Sequence, residues 1–222
     1  MGYFSYYLAL MFLSYALHNP WLMGGIVVFV LLRPVLPDPV VLWRTAGRVR
    51  ALEAQVAANP ANVTARRDLA RMLIERLRAR RALTILDAAR ERDPGDAELL
   101  YLTGLARLRS GDAEGALAPL VQAVEIEPRM MFGEPYRLAG DALARLGRLE
   151  EAEDAYERYV ATNSSSVEGF TKLALVRRRR DDAAGAEAAL DEALRTFWQV
   201  PAYKRRQDVG WWLRARVARL GL

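Results

Sequence analysis

"SGDAEGALAPLVQAVEIEP", residues 110–128, decides how the chain is read. It opens on the turn pair Gly111-Asp112 and runs through Ala113, Gly115, Ala116 and Ala118. It becomes bulkier at Leu120, Val121, Val124 and Ile126, and stops at Pro128. A helix with this many small residues is suited to close approach by another helix, because backbones come together only where side chains are small. Pro119 removes one helical hydrogen bond, so a bend on the outer side of such a pair is expected.

The same pattern recurs along the chain. Prolines stand at Pro60, Pro94 and Pro128, 34 residues apart each time. Ala70, Gly104, Gly140 and Ala174 are separated by 34, 36 and 34 residues. Twelve residues after each comes Ala82, Ala116, Ala152 or Ala186. Then follow Leu86, Leu120, Tyr156 and Leu190, and after them Ala89, Ala123, Tyr159 and Ala193. The two extra residues before the third unit fall in "PRMMFGEP", 128–135, a loop where an insertion costs little.

A 34-residue period with two helical patterns per unit resembles the tetratricopeptide repeat (TPR) family. The small residue of the first helix is Ala70, Gly104, Gly140 or Ala174, and the alanine of the second is Ala82, Ala116, Ala152 or Ala186. These eight are the expected packing positions. The aromatic that the family places early in the first helix is present as Tyr136 and Phe170 but replaced by Arg66 and Leu100. Its later tyrosine is replaced by Leu73, Arg107, Leu143 and Arg177. The resemblance implies an all-α solenoid of four helical hairpins over 62–195, in which stacking creates the core because no unit hides its apolar face alone. Residues 44–61 read as an N-terminal capping helix with the stripe Val49, Leu52 and Val56, ended by Asn59-Pro60. Residues 196–222 read as a basic C-terminal capping helix. Its expected inner stripe is Val209, Leu213, Val217 and Leu220, helped by Trp211 or Trp212. Adjacent tryptophans lie about 100° apart on a helix, so both do not point inward.

Residues 1–43 differ in kind. Met1 to Leu32 contain no Asp, Glu, Lys or Arg. Two apolar runs, 3–17 and 21–32, are separated by "HNP", in which Asn19 and Pro20 suit the start of a second helix. Each run is shorter than the roughly 20 residues that span a bilayer. The expectation is a pair of short membrane-embedded helices, with a single tilted span as the alternative and a buried hairpin in a soluble protein as a third. A signal peptide fits poorly, because no basic region precedes the apolar run. The proline-rich stretch 33–40 reads as a spacer. Arg33, Arg44, Arg48 and Arg50 follow the apolar segment, and the positive-inside tendency places the repeats in the cytoplasm.

The formal charge of +5 is uneven. Residues 44–194 carry 24 basic and 25 acidic side chains, whereas 195–222 carry seven basic and one acidic. Cysteine is absent and histidine occurs once, at His18, which excludes thiol chemistry and multi-histidine metal sites. No phosphate loop or dinucleotide turn occurs. No catalytic residue, cofactor or metal is expected, and the chain reads as a non-enzyme.

TPR proteins generally bind peptides or partner proteins in a groove lined by first helices. Counted from the small-residue landmarks, the groove candidates are Arg67, Arg71, Tyr101, Leu105, Arg137, Asp141, Thr171 and Leu175. The chaperone-binding members hold a carboxylate with Lys and Asn at these places, a set missing here. Arginine suits bidentate contact with carboxylates, so an acidic or amphipathic partner segment is expected at Arg67, Arg71 and Arg137; plain surface solubility is the alternative. The runs "RLRARR" (76–81) and "RRRRDD" (177–182) read as solvated turns. Nucleic acid is not expected as a partner, because aromatics do not alternate with basic residues on one face. The functional expectation is a membrane-anchored scaffold that recruits or assembles other proteins. The alternatives are an accessory subunit of a larger membrane complex and an envelope-biogenesis factor facing outside the cytoplasm.

Overall fold

The computed structural model describes residues 39–221, together with Met11, Ser14, Tyr15, Asn19, Trp21 and Gly24. The expected membrane segment, 3–32, otherwise lies outside the described residues. Among the described residues no helix is long and apolar enough to cross a membrane. Asn19 Oδ1 accepts a hydrogen bond from Trp21 N at 3.1 Å.

The chain divides into two compact units, 1–48 and 49–222, and the division falls inside the first helix, α1 (Pro39–Ala58). That helix starts within the stretch expected to be a spacer. Pro39 is its first residue, where proline's missing donor breaks no helical bond. Beyond it lie four hairpins: α2 (Val63–Glu75) with α3 (Ala79–Arg90), α4 (Ala97–Ser110) with α5 (Ala113–Ile126), α6 (Glu134–Leu146) with α7 (Leu149–Thr162), and α8 (Val167–Arg179) with α9 (Ala183–Gln199). The last helix, α10 (Ala202–Leu220), packs on both α8 and α9. Each hairpin touches only its neighbours, and no strand occurs among the described residues.

Side-chain oxygens start many of these helices. Asn62, Asp96, Asp112, Ser166 and Asp182 each accept from a backbone amide of the following turn. The caps Asp112 and Asp182 fold over Gly115 and Gly185, where a Cβ would come within 2.1 and 1.9 Å of the carboxylate. The glycine inside "DAEGA" therefore makes room for a cap.

The landmark residues are all buried. Gly104 faces Leu120, and a Cβ there would stand 2.4 Å from Leu120 Cγ. Gly140 faces the ring of Tyr156 in the same way. The third unit carries Tyr159 where its neighbours carry Ala123 and Ala193. The room comes from Gly169 on α8, whose added Cβ would lie 2.7 Å from the Tyr159 ring. Pro119 sits inside α5 and is buried. It has no amide to offer Gly115 O, and the Arg107 guanidinium donates to that carbonyl instead, at 3.0 Å. Arg177 makes the equivalent bond to Gly185 O at 3.3 Å, so the arginine found where the family carries a tyrosine ties the two helices of a hairpin in both units, and in the second unit it also supplies the donor that proline lacks.

A second arginine series joins the units. Arg109 donates to Ile74 O at 3.0 Å, Arg145 to Leu108 O at 3.0 Å, and Arg179 to Ala144 O at 3.1 Å. Each acceptor is a last-turn carbonyl of the preceding unit's first helix, where the helix dipole is negative and intrahelical partners run out. The run 177–180 is therefore structural rather than merely solvated. Arg177 and Arg180 pair with Glu153, and Arg178 donates to Gly221 O at 2.6 Å. Arg145→Met should lower unfolding stability by about 1 kcal/mol, as expected for one solvent-touched hydrogen bond. Urea denaturation of the variant checks this, and an unchanged midpoint would show that the ladder contributes nothing.

The C-terminal helix corrects the expected packing. Val209, Leu213, Val217 and Leu220 are exposed, Leu213 by 52 % and Leu220 by 86 %. The inner face is instead Asp208, Trp211, Trp212, Ala215 and Ala218, with Ala215 fully buried. Small Ala215 and Ala218 allow the close approach that large aliphatics would block. Trp212 stacks on Phe197 with 5.2 Å between ring centres, and Trp211 carries Lys172 over its ring at 5.3 Å. At the other end, Val49 is buried while Leu52 and Val56 are partly covered against the first part of the core.

Candidate functional site

The first helices α2, α4, α6 and α8 lie in sequence beside one another and present the residues that the landmark count singled out. On α2, Arg67 and Arg71 are one turn apart and face the start of α4. Arg67 Nη1 lies 3.2 Å from Asp96 Oδ2 and 3.1 Å from Glu98 Oε2, and Arg71 also pairs with Glu98. Asp96 has a double duty, because its other oxygen caps α4 through Glu98 N at 2.8 Å and Leu99 N at 3.1 Å.

A denser cluster joins α6 to α8. Arg137 bonds Glu134 one turn before it, Asp141 one turn after it at 2.9 Å, and Glu168 across the gap at 3.1 Å. Asp141 further accepts from Tyr156 Oη at 2.6 Å and from Lys172 Nζ at 2.6 Å. Lys172 also reaches Glu168 at 2.9 Å. Burial disfavours charge on Arg137, but its hydrogen bond to Glu134 and the charges of Glu134, Glu168 and Asp141 outweigh that and hold its pKa above the ordinary value. Burial, and then the Asp141 charge, push the Tyr156 phenol well up. Tyr101 lies between the two clusters; burial and then the charge of Glu134 push its phenol up to about 12.

These placements change the electrostatics that the sequence suggests. Arg67, Arg71 and Arg137 are all engaged by carboxylates of this chain, so they are not a free cationic surface awaiting an acidic ligand. A ligand carboxylate would have to displace an existing pair. Thr171 is buried and donates to Val167 O at 2.7 Å, so it offers no surface to a ligand. Leu105 is partly exposed and Leu175 more so. Leu175 lines a cleft of about 600 Å³ with Ala144, Tyr156, Lys172, Val176, Arg178 and Arg179.

Sequence reasoning missed the acidic half of this face. Asp96, Glu98 and Glu168 lie at the starts of the first helices, about one repeat from the arginines they meet; Glu134 lies one turn before Arg137, and the basic Lys172 meets Asp141 across the gap. The signal was available: Glu98, Glu134 and Glu168 recur at intervals of 36 and 34. The turn Met130–Gly133 falls inside the expected loop 128–135, but not foreseen was that Met131 and Phe132 adopt left-handed backbone there and are exposed. Met131 joins Arg67, Arg71, Asp96 and Glu98 in lining a second cleft, of about 560 Å³. Among the described residues no group of acidic or histidine side chains could hold a metal ion.

Comparisons with known proteins bear on the fold. A search of curated proteins found no match. Solved structures do match: one of MamA shares 20 % identity and a TM-score of 0.66 over 70 % of this chain and 92 % of its own. A MamA from Desulfovibrio magneticus, comprising residues 41 to its end, gives 20 % and 0.64 over 75 % and 92 %. YrrB, described as a TPR protein with an unusual peptide-binding site, gives 19 % and 0.60 over 70 % and 81 %. At such identities the likeness concerns the fold alone. The tetratricopeptide repeat family model matches residues 74–129 and 137–201, more than half of the sequence. With its stacked hairpins and its in-phase small residues, the chain belongs to the tetratricopeptide repeat family.

Proposed function

We propose that the chain is a membrane-tethered scaffold that holds partner proteins on the face formed by its first helices, with the repeats on the cytoplasmic side. Family membership supports a protein-binding role, and the peptide-binding site named for YrrB supports a peptide-like ligand on this fold. The uncharged stretch 1–32, followed by basic residues, supports the tether and its orientation.

The observation that carries the ligand class is the internal pairing of Arg67, Arg71, Arg137 and Lys172 with carboxylates. A charge-compensated face with accessible Leu105 and Leu175 suits an amphipathic segment of low net charge better than an acidic one. Apolar side chains of the partner settle on the leucines, and the ion pairs around them fix its register and reject mismatched charge.

The test is affinity capture from gently solubilised membranes. Leu105→Glu with Leu175→Glu should reduce recovery of the partner at least tenfold, since burying a leucine side chain is worth about 1.5–3 kcal/mol and a carboxylate in its place adds a desolvation cost. Val121→Glu, on the exposed part of α5, should not. Capture that survives the leucine changes would move the site elsewhere. Full-length protein should also stay with membranes in alkaline carbonate, and a chain beginning at Pro39 should not; wash-off of the full chain would remove the tether.

A further inference from the structure

The arginines of α10 differ from those of the repeats. Within 62–195 the prominent arginines end on carboxylates or helix carbonyls. On α10, Lys204 pairs with Asp208 and Arg219 with Asp191, but the other cations do not meet a carboxylate among the described residues. Arg205 lies over the Trp198 ring at 5.8 Å, Arg214 over Trp211 at 4.5 Å and Arg216 over Trp212 at 5.4 Å. Arg206 is exposed. A ring face orients a guanidinium without neutralising it, so these charges stay uncompensated.

The exposed apolar line on the same helix is Val209, Leu213, Val217 and Leu220. At 100° per residue it points about 180° from the packed face of Trp211, Ala215 and Ala218. Arg205 and Arg206 adjoin Val209, and Arg216 lies beside both Leu213 and Leu220 by helical spacing. Exposed Trp198 and Tyr203 stand near the start of the helix.

We infer that α10 lies on an anionic lipid surface, with the Val209–Leu220 line entering the headgroup boundary and Arg205, Arg206 and Arg216 meeting lipid phosphates. This rests on the membrane-tether reading and adds a second contact at the far end of the chain. The helix has the pattern of an interfacial element: an apolar line with cationic flanks on low mean hydropathy. Charge complementarity favours an anionic surface, and dimensions disfavour a second copy. The line is about 17 Å long and about 10 Å wide, far below the roughly 800 Å² per partner of a stable interface. A bilayer needs no matching patch and sums weak apolar and electrostatic contributions.

The chain has no cysteine, so Leu213→Cys gives a unique attachment point for a polarity-sensitive fluorophore. The labelled full-length chain is placed in phosphatidylcholine vesicles with and without phosphatidylglycerol. The anionic vesicles should shift the emission to the blue and allow quenching by brominated lipid. Neutral vesicles should do neither, and a label at Gln122→Cys should not respond. Arg206→Gln with Arg216→Gln should abolish the response at Leu213→Cys, since each charge near anionic lipid is worth about fivefold in partition. If the chain floats with vesicles but the label does not respond, the α10 contact is overturned and the tether stands. If the chain floats with neither vesicle, both fall. An equal response in neutral vesicles, a shift in lipid-free protein as its concentration rises, or a shift with duplex DNA alone would each overturn the lipid assignment.

Discussion

Leu120→Ala should cost about 2–5 kcal/mol of unfolding free energy, the range for emptying a fully packed leucine site. Leu120 is almost wholly buried, and its side chain fills the space left by Gly104 on the partner helix. The opposite change, Gly104→Ala, should cost about 1–3 kcal/mol, because the new methyl would stand 2.4 Å from Leu120 Cγ. The two together should cost clearly less than their sum, since the added methyl enters the cavity that the leucine leaves. That coupling is the sharpest part of the expectation. It is read from a double-mutant cycle by urea denaturation, and strict additivity would mean that the two residues do not share a contact.

Asp141→Ala should be the most damaging change on the first-helix face, at about 2–4 kcal/mol. Asp141 receives Arg137, Lys172 and the Tyr156 hydroxyl, and all four side chains are largely shielded from water. Removing the acceptor strands the Tyr156 hydroxyl and takes one carboxylate from each of Arg137 and Lys172, and breaking such a shielded network is costly. Glu134 and Glu168 retain part of the hold on Arg137, and Glu168 part of that on Lys172, which keeps the loss below the upper end known for isolated buried pairs. The exposed pair Asp154–Arg158 supplies the contrast: Asp154→Ala should cost no more than about 0.5 kcal/mol. A spectroscopic readout separates the network from general damage. With the Asp141 charge gone, the Tyr156 phenol should titrate at lower pH than in the parent chain, while burial still holds it above the ordinary value. An unmoved tyrosine titration, or a stability loss no larger than that of Asp154→Ala, would remove Asp141 from its place at the centre.

The repeat architecture was legible in the sequence because close helix packing leaves a compositional trace. A position that tolerates only glycine or alanine repeats its identity whenever the packing repeats, as Ala82, Ala116, Ala152 and Ala186 do. Compensating changes leave no such trace. Tyr159 fits only because Gly169, on the next helix, lacks a side chain. Arg107 answers Pro119 across a turn. The ladder of Arg109, Arg145 and Arg179 reads as ordinary basic helix ends until the acceptor carbonyls are located. The ionic face was half legible. Positions of the arginines followed from the repeat phase, but their neutralisation depends on Asp96, Glu98 and Glu168, which meet them only through the stacking. On α10, large aliphatics mark a stripe, and hydrophobicity alone assigns it inward. The helix instead turns alanine and tryptophan inward, because its neighbours leave little space and flat rings fill it well.

The buried apolar side chains form two clusters, and the partly buried Leu117 and Ala139 pack against both. One cluster of buried side chains ends at Ala142 and the next begins at Leu143, so the division runs through α6. Across that same helix pass the bonds from Arg137 to Glu168 and from Lys172 to Asp141. Materials science would describe the repeat stack as two blocks joined by a thin apolar seam and an ionic adhesive. In a linear lattice with nearest-neighbour coupling, the strength of each joint sets how many units melt together. These pairs are largely shielded from water, so dissolved salt weakens the joint only slightly. Cooperativity is therefore set by the side chains at the joint: emptying its ionic centre, as in Asp141→Ala, should broaden the melting transition more than any change of buffer does.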